Sequence, residues 1–258
     1  MPSTADLFAA AFQQHQSGQI PQAMQLYQQV LQQQPNHAGA LNLMGVITCQ
    51  AGNVPEGMRL YQRAVAAKPD FAEARFNLAI ALELLGQPEA AIAQYRAALS
   101  LQPNNVEVHN NLGNLLIKQG GVEAGIGHFR QALSIQPNYV PAHINLGALL
   151  SGLGQAEAAI SHLHQALRLQ PNAILAHHHL GHILNGQGRM DEAAVHFQQA
   201  LTIQPTAELH FSLGKTLEEQ GRTQEAIAQF QSALHGQTRL CRRLLAKATG
   251  ASGSLRYT

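Results

Sequence analysis

An all-α solenoid of helix–turn–helix repeats is the fold predicted by this 258-residue chain, and three observations predict it. Six prolines, Pro35, Pro69, Pro103, Pro137, Pro171 and Pro205, stand 34 residues apart. A glycine column, Gly18, Gly52, Gly86, Gly120, Gly154, Gly188 and Gly221, runs in step with them. An aromatic or leucine column (Tyr27, Tyr61, Tyr95, Phe129, Leu163, Phe197, Phe230) and a small one (Val30, Ala64, Ala98, Ala132, Ala166, Ala200, Ala233) keep the same register. A fixed period of this length with helix breakers at each boundary marks short helix pairs that stack on their neighbours. Such an array offers a long open surface, which argues against a closed active-site pocket.

Each part of the repeat has a physical reason. The first helix of the third repeat is expected over about Glu73 to Leu85, with Leu78 and Leu82 at helical spacing. A column of Ala11, Gly45, Ala79, Gly113, Gly147, Gly181 and Gly214 lets this helix approach its partner closely. Gly86 ends it, because glycine takes the left-handed conformation cheaply. The second helix is expected over Pro88 to Leu101, with Ala91, Ile92, Tyr95, Ala98 and Leu99 on its buried side. Pro21, Pro55 and Pro88 open the second helix in the first three repeats, where a missing N–H costs nothing. The boundary proline stops it and starts the link to the next repeat. Gly57 and Gly125 replace an expected alanine, each at a cost of about 1 kcal/mol in helix propensity. Gly121, Gly125 and Gly127 together mark repeat four as the softest point, read as sequence drift in preference to a hinge.

The segments AEARFNLAIALELLGQPEAAIAQYRAALSLQP and PAHINLGALLSGLGQAEAAISHLHQALRLQP carry nearly the whole pattern of one family. On them the chain resembles a tetratricopeptide repeat protein, over roughly residues 5–237. The family's first-helix tryptophan is absent; Leu41, Arg75, His109, His143, His177 and His210 stand in its place. The resemblance implies a right-handed superhelix of about seven repeats, at 5–38, 39–72, 73–106, 107–140, 141–174, 175–207 and 208–237. The first has Ala10 where others have leucine. The seventh is one residue short after Pro205 and has Thr238 where proline is expected. Residues 238–258 are expected to form a basic capping helix and a flexible tail.

Composition bounds the function. Charged residues are 12% of the chain, about half the usual share. The net charge of +1 argues against nucleic acid as a partner. The tail carries Arg239, Arg242, Arg243, Lys247 and Arg256 and no acid, which leaves eleven bases against fifteen acids in the repeats. The strict helical period argues against a disordered, Gln/Asn-rich reading. Cys49 and Cys241 form neither a disulfide framework nor a metal motif. The N-terminus has no signal-peptide pattern, and no apolar run approaches 18 residues. A cytoplasmic setting without membrane insertion is the expectation.

In this family the first helices line the concave face of the superhelix. The residue before the buried leucine of each first helix reads Ala9, Leu43, Asn77, Asn111, Asn145, His179 and Ser212. The three successive asparagines resemble the asparagine ladder in the repeat arm of O-linked N-acetylglucosamine transferases, which implies contacts to the backbone of an extended peptide. An amide side chain donates and accepts, so it can pair with a peptide group whatever the sequence. Asn110 and Asn114 extend the polar strip, and Phe8, Phe12, Phe76 and Ile80 give the early repeats an apolar character. The carboxylate clamp of chaperone-binding relatives is not expected, because its positions hold no cation.

The run HHHLGH places His177, His178, His179 and His182 in one helix. His178 and His182 face one way and could share a metal, but no glutamate follows as in H-E-x-x-H, so a zinc hydrolase is not supported. Adventitious nickel or zinc is the expectation, and His178, His179 and His182 join the candidate peptide face. Their titration near pH 6.5 would loosen binding in acid. His109, His143, His177 and His210 read as packing filler. No nucleophile elbow, phosphate loop or cysteine–histidine pair is present, and GGVEAGIG follows no strand. No cofactor and no catalysis are expected.

The reading is therefore a non-catalytic scaffold that binds a protein or peptide partner through Asn77, Asn110, Asn111, Asn114, Asn145, His178, His179 and His182. The alternative is the substrate-recruiting arm of a glycosyltransferase system, truncated before its catalytic domain. A third reading is an assembly factor that self-associates through the convex face.

Overall fold

The computed structural model describes residues 2–234. The basic capping helix expected after Thr238, and Cys241, lie outside the described residues. Those described form helices joined by short turns, with no strand among them. In order they are α1 (Thr4–Gln16), α2 (Ile20–Gln33), α3 (Ala38–Gln50), α4 (Val54–Ala67), α5 (Ala72–Leu84), α6 (Pro88–Leu101), α7 (Val106–Lys118), α8 (Val122–Ile135), α9 (Val140–Gly152), α10 (Ala156–Leu169), α11 (Ile174–Gly186), α12 (Met190–Ile203) and α13 (Ala207–Glu219). Residues 223–234 are also helical and are called α14. The second helix of repeat three occupies its expected span. Pro21 and Pro55 sit one position later in their helices than Pro88 does, behind Ile20 and Val54.

The chain divides into two compact units, Met1–Pro137 and a second that begins at Asn138. In the first, α1–α2, α3–α4, α5–α6 and α7–α8 pack as pairs, and α2–α3, α4–α5 and α6–α7 join them. In the second, α9–α10, α11–α12 and α13 follow the same scheme, with α9 against α11 and α11 against α13.

The periodic columns prove to be mutual contacts. Tyr27, Tyr95, Phe129 and Phe197 are fully buried. A Cβ added at Gly45, Gly113, Gly181 or Gly214 would come within 2.6–2.9 Å of the ring of Tyr61, Phe129, Phe197 or Phe230. The small column is small because the aromatic column lies against it. The turn glycines have φ of 70° to 89°, the left-handed region the pattern requires.

The drift reading of Gly125 is corrected. Its missing Cβ would lie 2.4 Å from Ile117 Cγ1 and 2.8 Å from the Gly113 carbonyl oxygen. Gly57 stands in the same way against Cys49 Sγ and the Gly45 carbonyl. In these two repeats the side chain of the first helix occupies the space that a Cβ on the second would need. Gly127, by contrast, faces open space.

The histidine column is more than filler. His109 and His177 are buried, and each ring makes two hydrogen bonds. Nε2 of His109 donates to the Pro103 carbonyl (2.9 Å), and Nε2 of His177 to the Pro171 carbonyl (3.0 Å). Nδ1 of each then accepts from Nδ1–H of a second-helix histidine 19 residues on, His128 or His196, both at 2.9 Å. His143 meets His162 in the same way at 3.0 Å. Arg75 does the same work without a ring, donating from Nε to the Pro69 carbonyl and from its guanidinium to Gln94. These side chains staple the first helix to the second and to the link before it.

Candidate functional site

The first-helix face of each unit carries the polar residues singled out by sequence. In the first unit they fall into two hydrogen-bonded groups. Asn42 Nδ2 donates to Glu73 Oε1 (3.0 Å), and Asn77 Nδ2 donates to Asn42 Oδ1 (3.0 Å). Asn42 is 1% exposed, so it anchors the first group from the core. Asn77 is half-buried and keeps a carbonyl oxygen and one N–H beyond that bond. Asn110, also buried, donates to Asn111 Oδ1 at 3.3 Å. Asn111 in turn hydrogen-bonds the Tyr95 hydroxyl. Burial chiefly, then Glu83, holds that phenol well above its usual range, so it stays neutral. Asn114 is half-buried. Lys118 closes the strip with an ion pair to Glu83 at 2.8 Å.

Burial pushes the Cys49 thiol up, although its hydrogen bond to Tyr61 acts the other way. A raised thiol stays protonated at neutral pH, which is the wrong state for a nucleophile.

Two clefts of the second unit border candidate site residues. Asn145 rims the first with Val140, Ile144, Ile174 and Leu175, around about 360 Å³. Leu175 is 57% exposed, so this cleft offers an apolar surface, with the amides of Asn145, Gln170 and Asn172 around it. The second, about 390 Å³, lies between α11 and α13 and is lined by His182, Asn185, Phe211, Ser212, Lys215 and Glu219 among others. His178 and His182 bring their Nε2 atoms to 2.9 Å. Ser212 Oγ is 3.4 Å from His182 Nε2, and Glu208 Oε1 is 3.8 Å from His178 Nε2. Asn185 donates to Glu219 at 2.8 Å, while its buried Oδ1 has no hydrogen-bond partner. Burial chiefly, then the neighbouring imidazoles, holds His179 and His182 below the usual histidine range.

Thus Asn77, Asn110, Asn111 and Asn114 fall on one unit, and Asn145, His178, His179 and His182 on the other. Sequence reasoning missed Asn42 as part of the site, although it stands two periods before Asn110 in the same column. It also missed His128, His162 and His196, themselves 34 apart. No helix among the described residues is long and apolar enough to cross a membrane.

Family models described as "Tetratricopeptide repeat" match residues 14–75 and 116–183, 60–93, and 172–239. One described as "TPR repeat" matches 84–120. No curated protein sequence matches the chain. Among solved structures, MamA is 24% identical over 62% of this chain and 94% of its own, with a TM-score of 0.55. A tetratricopeptide repeat protein from Parabacteroides merdae ATCC 43184 is 18% identical over 90% of this chain and 93% of its own, with a TM-score of 0.72. YrrB, described as a TPR protein with an unusual peptide-binding site, is 16% identical over 76% of this chain and 97% of its own, with a TM-score of 0.57. At these identities the structures speak for the fold alone.

Proposed function

Because the chain belongs to the tetratricopeptide repeat family, we propose that it is a protein-interaction scaffold whose first-helix faces hold an extended peptide segment. We assign residues 5–237 to the array and give it no catalytic role. The observation that carries the reading is Asn77, held in place through one N–H by the buried Asn42 while its oxygen and second N–H stay available. A fixed amide of this kind can pair with a peptide group without first losing its own freedom. Asn145 supplies a similar amide beside an apolar cleft, where a side chain of the same kind of ligand can sit. The peptide-binding site named for YrrB supports this choice of ligand.

The test starts with peptides selected from a random library on the intact protein. Their affinities are then measured for wild type and for Asn77→Ala, Asn111→Ala and Asn145→Ala combined. Each lost neutral hydrogen bond is worth about 0.5–1.5 kcal/mol, so the triple variant should bind at least about tenfold more weakly. Equal affinity, with helical content unchanged by circular dichroism, would sink the proposal.

A second reading, the substrate-recruiting arm of a glycosyltransferase system, rests on the 34-residue spacing of Asn77, Asn111 and Asn145. Its test is whether glycosyl acceptor peptides bind with a dependence on those asparagines. Acceptors that bind no better than scrambled peptides would leave the general scaffold alone.

A further inference from the structure

We infer that His178 and His182 form an open bis-imidazole site for a Cu(II) or Ni(II) ion on the edge of the cleft between α11 and α13. The two residues lie one helical turn apart, so their side chains leave α11 on the same face. Their rings meet edge to face with centroids 4.5 Å apart, and their Nε2 atoms lie 2.9 Å from each other. In the free protein a single proton bridges them. A metal ion can replace that proton without moving either ring far.

The spacing selects the class of ion. With the nitrogens 2.9 Å apart, an ion about 2.05 Å from each would see them at roughly 90°. That is the cis angle of a square-planar or octahedral shell, the geometries of Cu(II) and Ni(II). A tetrahedral ion would need the nitrogens about 3.3 Å apart at the same bond length.

Two neighbours fit an ion at this place. Glu208, on α13, already has Oε1 3.8 Å from His178 Nε2 and supplies negative charge. Ser212, itself buried, has its Oγ 3.4 Å from His182 Nε2 and can turn a lone pair toward an ion at this place. Among the described residues no three His, Cys, Asp or Glu side chains are grouped to hold a metal ion. The site is accordingly two-coordinate from the protein, with its remaining positions filled by water. It shares His178 and His182 with the proposed peptide face but does not need that reading.

The other histidine pairs do not compete on equal terms. In His109–His128 and His177–His196 the facing atoms are Nδ1, and the first-helix ring is committed to a proline carbonyl through Nε2. An ion there would have to break a buried contact between helices.

The experiment titrates Cu(II) and Ni(II) into the intact chain without an affinity tag. Wild type, His182→Gln and His128→Gln are compared by calorimetry and by pulsed EPR of the Cu(II) form. His182 is exposed, so its replacement leaves the fold intact, which a thermal melt checks. Wild type and His128→Gln should bind one Cu(II) with the spectrum of two coordinated imidazoles. His182→Gln should show one imidazole there and bind at least about tenfold more weakly, because the chelate is lost. Ni(II) should follow the same pattern at lower affinity. A two-imidazole spectrum that survives His182→Gln, or one that His128→Gln abolishes, overturns the assignment.

Discussion

Acid should loosen α11 and α12 through one imidazole, and the size of the effect can be worked out from its surroundings. His196 accepts no proton easily in the folded chain. Burial chiefly, then His177 and His164, brings it down from 6.5 to about 4, with Glu192 opposing. Above pH 6.5 the ring is neutral in both folded and unfolded states, so it exerts no pull. Below 6.5 the unfolded chain takes up the proton and the folded one does not. Stability is therefore lost progressively from about pH 6.5 and the loss levels off near pH 4. Undiscounted, the shift would correspond to roughly 3 kcal/mol. The ring is only half-buried, so solvent screening reduces this to about 1–2 kcal/mol.

The control is built into the sequence: Gln94 and Gln229 hold the equivalent place in other repeats and bond Arg75 and His210. His196→Gln should keep the staple and remove the titration. Repeat arrays do not unfold in one step, so the assay is hydrogen exchange of α11 and α12 amides, corrected for intrinsic rates. Between pH 7.5 and 5.0 wild type should lose about 3- to 8-fold more protection there than His196→Gln. Carboxylates, and His179 and His182 on α11, titrate alike in both proteins, so they cancel from the comparison. An equal loss in both would refute the reasoning.

Three further outcomes follow from particular contacts. Gly125→Ala should destabilise the first unit by about 1–3 kcal/mol through overpacking against Ile117 and the Gly113 carbonyl. Gly127→Ala, two residues on in the same helix but facing open space, should raise stability by about 0.5–1 kcal/mol; urea melts of both variants check this. Asn42→Ala should cost about 1–3 kcal/mol and also weaken peptide binding, because Asn77 loses its anchor; melts and binding isotherms on one preparation separate the two effects. Peptide affinity should be flat from pH 8 to 6.5 and fall only in more acidic buffer, since His179 and His182 lie below the ordinary histidine range; a midpoint above pH 6.5 in a fluorescence-anisotropy series would contradict this.

The helices were legible because each depends on signals within one turn of itself. Gly86 must be left-handed where α5 stops, and Pro88 can only stand at a helix start. The contacts between columns were harder to read. Gly125 looked like drift because its reason, Ile117, lies eight residues away on another helix. His109 looked like filler because its partner, His128, belongs to a separate column 19 residues on. The 34-residue recurrence of His128, His162 and His196 was in the sequence, but periodicity states only that positions are equivalent, not which positions touch. Asn42 was hidden for a different reason. It is a buried polar residue in a column that holds Phe8, Phe76 and Ile144, so pattern alone marks it as an irregularity.

That irregularity separates scaffold from site. Columns that touch another column are held to one kind of side chain: glycine or alanine against the aromatic ring, arginine or histidine against the proline carbonyl. A change there costs packing or a buried hydrogen bond. The column Phe8, Asn42, Phe76, Asn110, Ile144, His178 and Phe211 changes chemistry at nearly every repeat. It alternates between apolar residues and residues that bond a neighbour on the same face, as Asn42, Asn110 and His178 do. Packing against the second helix cannot demand phenylalanine, asparagine, isoleucine and histidine at one equivalent place. Under the proposed function the peptide supplies that demand, directly at exposed Phe211 and through neighbouring side chains at the buried Asn42 and Asn110. Exchanging chemistry within this column, as in Phe76→Asn, should therefore change which peptides bind more than it changes how tightly the repeats hold together. Library selection repeated on that variant checks it: an unchanged set of peptides would return the column to the scaffold.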